Sequence, residues 1–266
     1  MRKLTMRERL LAVIHGKPLD RVPLIMYEGV IPTDQAWQLL GRERLGFLRW
    51  SAVHRVDTPH CRFETIEKRV NGQRQQRIVL HTPKGDLYEE RTFEPVYNSS
   101  SIHKHFVEEP EDYDKLWAYL EDGIVAPDYE RYLKDASDLG DDGLPLTAVE
   151  RSPYQQLWIQ WVGLSTLGYH FADIPERVEH TMALLRARAL QIFEIVRHSP
   201  TELIDFPDNI TAPPLGPRRF AEYCVPQYNL LAEMLEGKGV PVFVHMDGDL
   251  KPFWEMIAAS RVDGLD

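Results

Sequence analysis

The chain has 266 residues, 43% of them hydrophobic and 27% charged, and a formal net charge of −10 at pH 7. Such a composition suits a globular protein with a sizeable core, and its acidic balance speaks against a nucleic-acid or anionic-membrane partner, since either would want a basic surface. Two cysteines, Cys61 and Cys224, give no disulfide framework, no apolar run reaches the roughly 20 residues that span a bilayer, and Arg7, Glu8 and Arg9 interrupt any signal-like apolar start, so the expectation is a cytoplasmic chain.

Thr5-x-x-Glu8 is a capping box, and Leu10, Leu11, Val13 and Ile14 supply the apolar face of a helix that Gly16 and Pro18 stop. Residues 22–26 read as a short buried strand with Tyr27, Glu28 and Gly29 at its carboxyl end, and residues 34–40 as a helix. From Cys61 to Phe93 the period changes to that of strands. Asn71-Gly72 is a two-residue hairpin signal and Lys84-Gly-Asp86 marks a second turn, so residues 61–94 are expected to form a three-stranded antiparallel meander beside the main sheet. Helices are expected after the acidic run that begins at Glu108, over residues 128–134, from Ser152-Pro153, and from Pro175 to about residue 198.

Strands that feed helices fall near residues 22–26, 145–149, 201–206, 240–245 and 262–266, with a further one around 52–56. That alternation defines an α/β protein with a parallel sheet, read as a single domain over residues 1–266. In such folds the chemistry stands where strands stop, at their carboxyl ends. Those places hold Glu28, Glu150, Arg151, Asp205, Asp208, Asn209, His245, Asp247 and Asp249. His245 and Asp247 are two apart in extended chain and point to one face, where an imidazole and a carboxylate could share a divalent metal; the same segment also reads as a tight turn in which Asp249 caps the next helix. Asp208 and Asn209 read either as ligand-facing groups or as an Asx-turn after Pro207. Glu28 and Glu150 read either as mouth acids or as solvated strand ends.

Three groups of residues carry a resemblance. They are Pro207-Asp-Asn209; Gly216-Pro-Arg-Arg-Phe220 with Tyr223 and Pro226; and Gly239-Val-Pro-Val-Phe-Val-His245-x-Asp-Gly-Asp249. With Arg7-Glu-Arg9, Gly16-Lys-Pro18 and Asp20-Arg-Val-Pro23 at the start, they resemble the uroporphyrinogen decarboxylase superfamily, closer to its corrinoid- and coenzyme M-linked methyltransferases than to the decarboxylases. The resemblance implies a (β/α)8 TIM-barrel type fold; because this chain stops on its last strand, the barrel is expected to be incomplete at its C-terminal end. It further implies a small-molecule substrate, a corrinoid as methyl carrier with a possible corrinoid protein partner, and a zinc ion on His245 and the residue two further on. That residue is Asp247 here, where the family has cysteine. Catalytic roles then fall to Asp208, Glu150 and His245, and substrate binding to Glu28, Arg151, Asn209 and Asp205. Porphyrinogen decarboxylation and a non-catalytic binding protein remain as alternatives. An acidic mouth would repel the polyanionic substrate of the former.

Overall fold

The computed structural model describes residues 2–30, 32–95 and 99–266. Its centre is a parallel sheet of six strands laid side by side in chain order: Leu24–Tyr27, Leu45–Ser51, Gly143–Ala148, Ile204–Phe206, Val242–Val244 and Gly264–Leu265. Ile25 of the first strand and Leu265 of the last line one cavity of about 340 Å³, so the sheet curls until its two ends face each other across a hollow. This is an α/β protein with a curled, six-stranded parallel sheet.

Side chains alternate across that sheet, as strand geometry demands. Ile204, Phe206, Val242 and Val244 point outward into the main core, which the helix Pro175–Arg197 covers with Val178, Leu185 and Ile192. Leu48, Leu146, Leu203 and Phe243 point inward and form a second core with Met6 and Leu10 of the helix Met6–Ile14. The expected capping box starts this helix: the Glu8 amide donates to Thr5 Oγ1 and the Thr5 amide to Glu8 Oε2. Gly46 lets the helix come close, since a Cβ there would lie 2.3 Å from Met6 Cγ. Arg9, 1% exposed, anchors it through a two-pronged bond to Asp20 at 2.7 and 2.8 Å.

The antiparallel expectation holds in kind and grows in extent. Arg62–Val70, Gln73–Thr82, Gly85–Phe93 and Ser100–Lys104 make one sheet of four strands. Asn71 (φ 51°) and Gly72 (φ 81°) supply the paired positive φ values of the tight hairpin turn. Residues 96–98, between the third and fourth of these strands, lie outside the described residues. A second small sheet pairs His54–Asp57 with Ile124–Pro127.

Two expectations need correction. The strand placed around residues 52–56 belongs to that small sheet, and the second parallel strand is Leu45–Ser51. Arg49 in its middle hides it from a reading by apolar runs, yet Arg49 points outward to pair with Glu28, Asp135 and Asp138. The first strand is also far from buried: Leu24 and Ile25 are 54% and 43% exposed, because it is an edge of the sheet and its inner face looks into the hollow.

Candidate functional site at the carboxyl ends of the strands

Five side chains join across the ends of four consecutive strands. Arg151, just past Gly143–Ala148, donates from Nη2 to Asn209 Oδ1 at 3.0 Å. Asn209, past Ile204–Phe206, donates from Nδ2 to Asp247 Oδ2 at 3.3 Å. Asp247 Oδ2 lies 3.7 Å from His245 Nε2, and His245 Nδ1 lies 3.2 Å from Asp266 Oδ1 at the end of the last strand. The chain order of the strands makes this possible, because each neighbour in sequence is a neighbour in the sheet, roughly 4.8 Å away. Asn209 reaches its place with φ at 54°, a left-handed conformation that asparagine tolerates better than most residues.

Beside Arg151 and Asn209 opens a cleft of about 910 Å³. One wall is the four-stranded sheet: Thr65, Ile78 and Glu89 pair in register across three strands and all face the cleft. The other wall is the helical segment carrying Trp158 and Trp161, whose indole Nε1 has no hydrogen-bond partner among the described residues. Glu89 is 2% exposed and accepts from Arg91 Nε at 2.6 Å; burial raises its carboxyl pKa against the pull of that guanidinium. Burial likewise lowers the pKa of the Arg151 guanidinium, opposed by the negative charge of Asp208. The result is an aromatic-walled cleft with two guanidinium groups and one carboxyl.

The remaining expected site residues lie elsewhere. Asp208 is fully buried and accepts three bonds, from the Ser152 amide at 2.7 Å, from Ser152 Oγ at 2.7 Å and from Tyr228 OH. Its carboxylate therefore clamps the segment that carries Arg151. Burial raises its pKa and the three donors pull it down. Glu150 turns to Gln156 Nε2 at 3.3 Å and to Arg188 Nη1 at 3.9 Å; burial raises its pKa, with the Arg188 charge working against that. Glu28 pairs with Arg49 on the outer face of the sheet. Asp205, 0% exposed, points inward, and neither of its oxygens has a partner among the described residues. Asp249 accepts from the Lys251 amide at 3.1 Å, a local turn bond; the N-cap position of the helical turn that follows is Leu250, not Asp249 as expected.

The geometry of His245 does not suit zinc. A tetrahedral ion needs three or four donors converging at about 2.0–2.3 Å. Here the two carboxylates flank opposite ring nitrogens, so the imidazole itself stands between them. Among the described residues no group of three or more His, Cys, Asp or Glu side chains could hold a metal ion.

Two contributors escaped the sequence reading. Asp266 was placed only as a strand terminus, although its spacing after Val262 already put it at a strand end. The cleft wall formed by the antiparallel sheet had one visible signal, the run of Phe63 and Thr65 on one face of a strand otherwise rich in charge.

No protein-family model matches the sequence, and no curated protein matches it either. Among solved structures, a methyltransferase from Methanosarcina mazei has a similar fold, with a TM-score of 0.51 and 11% sequence identity over 98% of this chain and 75% of that one. At that identity the likeness concerns the fold alone. No described helix is long and apolar enough to cross a membrane.

Proposed function

We propose that the protein is a methyltransferase of the uroporphyrinogen decarboxylase-like kind, acting on a small molecule held in the 910 Å³ cleft, with a corrinoid carrying the methyl group. One observation carries this reading: the polar chain Arg151–Asn209–Asp247–His245 starts on the cleft and runs across the carboxyl ends of the strands, where folds of this class do chemistry. The sequence resemblance and the fold of the Methanosarcina mazei enzyme agree with it.

A bound corrinoid would supply a methyl group as an electrophile, the electron pair of the broken carbon–cobalt bond staying with cobalt. This chain's own residues bind and orient the partners: Trp158 and Trp161 offer flat apolar faces, and Arg151 and Asn209 offer donors to a polar edge. A thiol acceptor must lose its proton as sulfur takes the methyl group. We assign that proton to His245 Nε2, which stands beyond the cleft lining and connects to it through Asp247 and Asn209, and whose other ring nitrogen faces Asp266. Asp208 acts as a positioning residue through Ser152, and Glu150 through Gln156.

Porphyrinogen decarboxylation keeps a place as second reading because the structure relieves the charge objection. Glu28 is paired on the outer face, Asp208 is clamped inside and Asp205 faces the hollow, so the cleft itself holds Arg91 and Arg151 against Glu89 alone.

Calorimetric titration with methylcobalamin tests the assignment of the cleft. The expected result is saturable binding that Arg151→Ala and Trp158→Ala each weaken about tenfold, the loss of one charge-assisted bond or one stacking face. Absence of binding, or wild-type affinity in both variants, would remove the cleft from the account. Release of CO2 from a porphyrinogen by the same preparation would favour the second reading.

A further inference from the structure

Asp205 takes no part in the polar chain at the strand ends. It is fully buried, and neither carboxylate oxygen has a hydrogen-bond partner among the described residues. Its side chain stands on the inner face of the sheet, one strand-step from Leu203 and opposite Phe243, and with them it lines the cavity of about 340 Å³ inside the curl. The rest of that lining is hydrocarbon, from Leu10, Leu48, Leu146 and their neighbours, apart from a second carboxylate, Asp266. Among the described residues no cationic side chain lines it.

A buried carboxylate without a partner is among the costlier features a protein can keep. Three kinds of occupant can be sorted by what they would do to it. A hydrocarbon would fill the volume and leave the oxygens unpaired. An anion would meet two carboxylates and be repelled. A cationic N–H donor on an apolar body would satisfy the carboxylate and cover the hydrocarbon wall together.

We propose that this cavity is a binding site for a hydrophobic ammonium ion, with its nitrogen on the Asp205 carboxylate and its body against Leu48, Leu146, Leu203 and Phe243. The volume sits at the lower end for small-molecule sites, which suits one ring or a short chain of roughly six to nine carbons. The hollow and the cleft assigned to methyl transfer share no lining residue, although Asp266 on the wall of the hollow also faces His245 of the polar chain. The ligand enters past Val22 and Ile25, which are 83% and 43% exposed at the rim.

Calorimetry on the full chain at pH 8 can test this with cyclohexylmethylammonium and its neutral counterpart, cyclohexylmethanol. The amine should bind saturably and at least tenfold more tightly than the alcohol. Asp205→Asn should bring the amine down to the affinity of the alcohol, and Ile25→Trp, which narrows the rim at a half-exposed position, should weaken both. An amine no tighter than the alcohol would overturn the proposal, as would amine binding that survives Asp205→Asn. If Asp205→Asn does not fold, Ile25→Trp decides: unchanged amine binding there places the ligand elsewhere. Sedimentation showing self-association that excludes the amine would assign the hollow to a second copy of the chain instead.

Discussion

Replacing Asp205 by asparagine should make the protein more stable at pH 8 and flatten its stability between about pH 4 and pH 7. Burial, helped by the negative charge of Asp208, pushes the Asp205 carboxyl up to about 7. In the unfolded chain the same group titrates near 3.9. Between those values the folded protein holds a proton that the unfolded chain has released. Stability contributed by this group is therefore full below about pH 4 and is lost as pH rises towards 7. The whole loss is on the order of 4 kcal/mol, about three pKa units for a group with no exposure to water. Asparagine keeps the shape and cannot ionise. Urea unfolding at pH 4.5, 6 and 8 should show wild type falling behind Asp205→Asn as pH rises. Parallel curves for the two proteins would mean that water or a partner satisfies the carboxylate.

The second large effect is expected at Asp208, with the opposite sign. Asp208→Ala removes the acceptor of three bonds and leaves Ser152 Oγ and Tyr228 OH with only the weak acceptor Cys224 Sγ beside them in the core. Taking one member from a buried charged network costs about 3–5 kcal/mol. The clamp also fixes the backbone next to Arg151, so the variant should bind cleft ligands more weakly even where it folds. Asp208→Asn, which keeps one acceptor oxygen, should fall between. Denaturant midpoints and cleft affinity measured on the same samples check both statements. A loss below about 1 kcal/mol would show that the clamp is replaceable by water.

These two residues also show where sequence reading succeeds and where it stops. Strand ends were legible because apolar runs end abruptly there, and Arg151, Asn209, His245 and Asp247 do meet. The capping box at Thr5 and the Asn71-Gly72 turn were legible because both are local chemistry. Whether an acid near a strand end faces a cleft, a core or a hollow is a matter of parity and turn geometry. Asp205 shares the inward parity of Leu203, which places it inside the curl; Asp208 lies past the strand, where the chain turns back under Ser152. The strand Leu45–Ser51 was missed because outward Arg49 breaks its apolar run, and the charge is satisfied by Glu28 and Asp135, far apart from it in sequence. The exposed edge strand Leu24–Tyr27 could be read as a strand, but not as an edge, since exposure depends on what lies beside it.

The claim that methyl transfer occurs at this site is tested most directly by single-turnover assay. The purified chain is mixed with methylcobalamin and 2-mercaptoethanesulfonate, and the methyl thioether is measured by mass spectrometry. The account predicts thioether formation well above the rate without protein, at least a hundredfold slower in His245→Ala because the thiol proton loses its acceptor. Thioether forming no faster than in buffer, or at the same rate in His245→Ala, would contradict it.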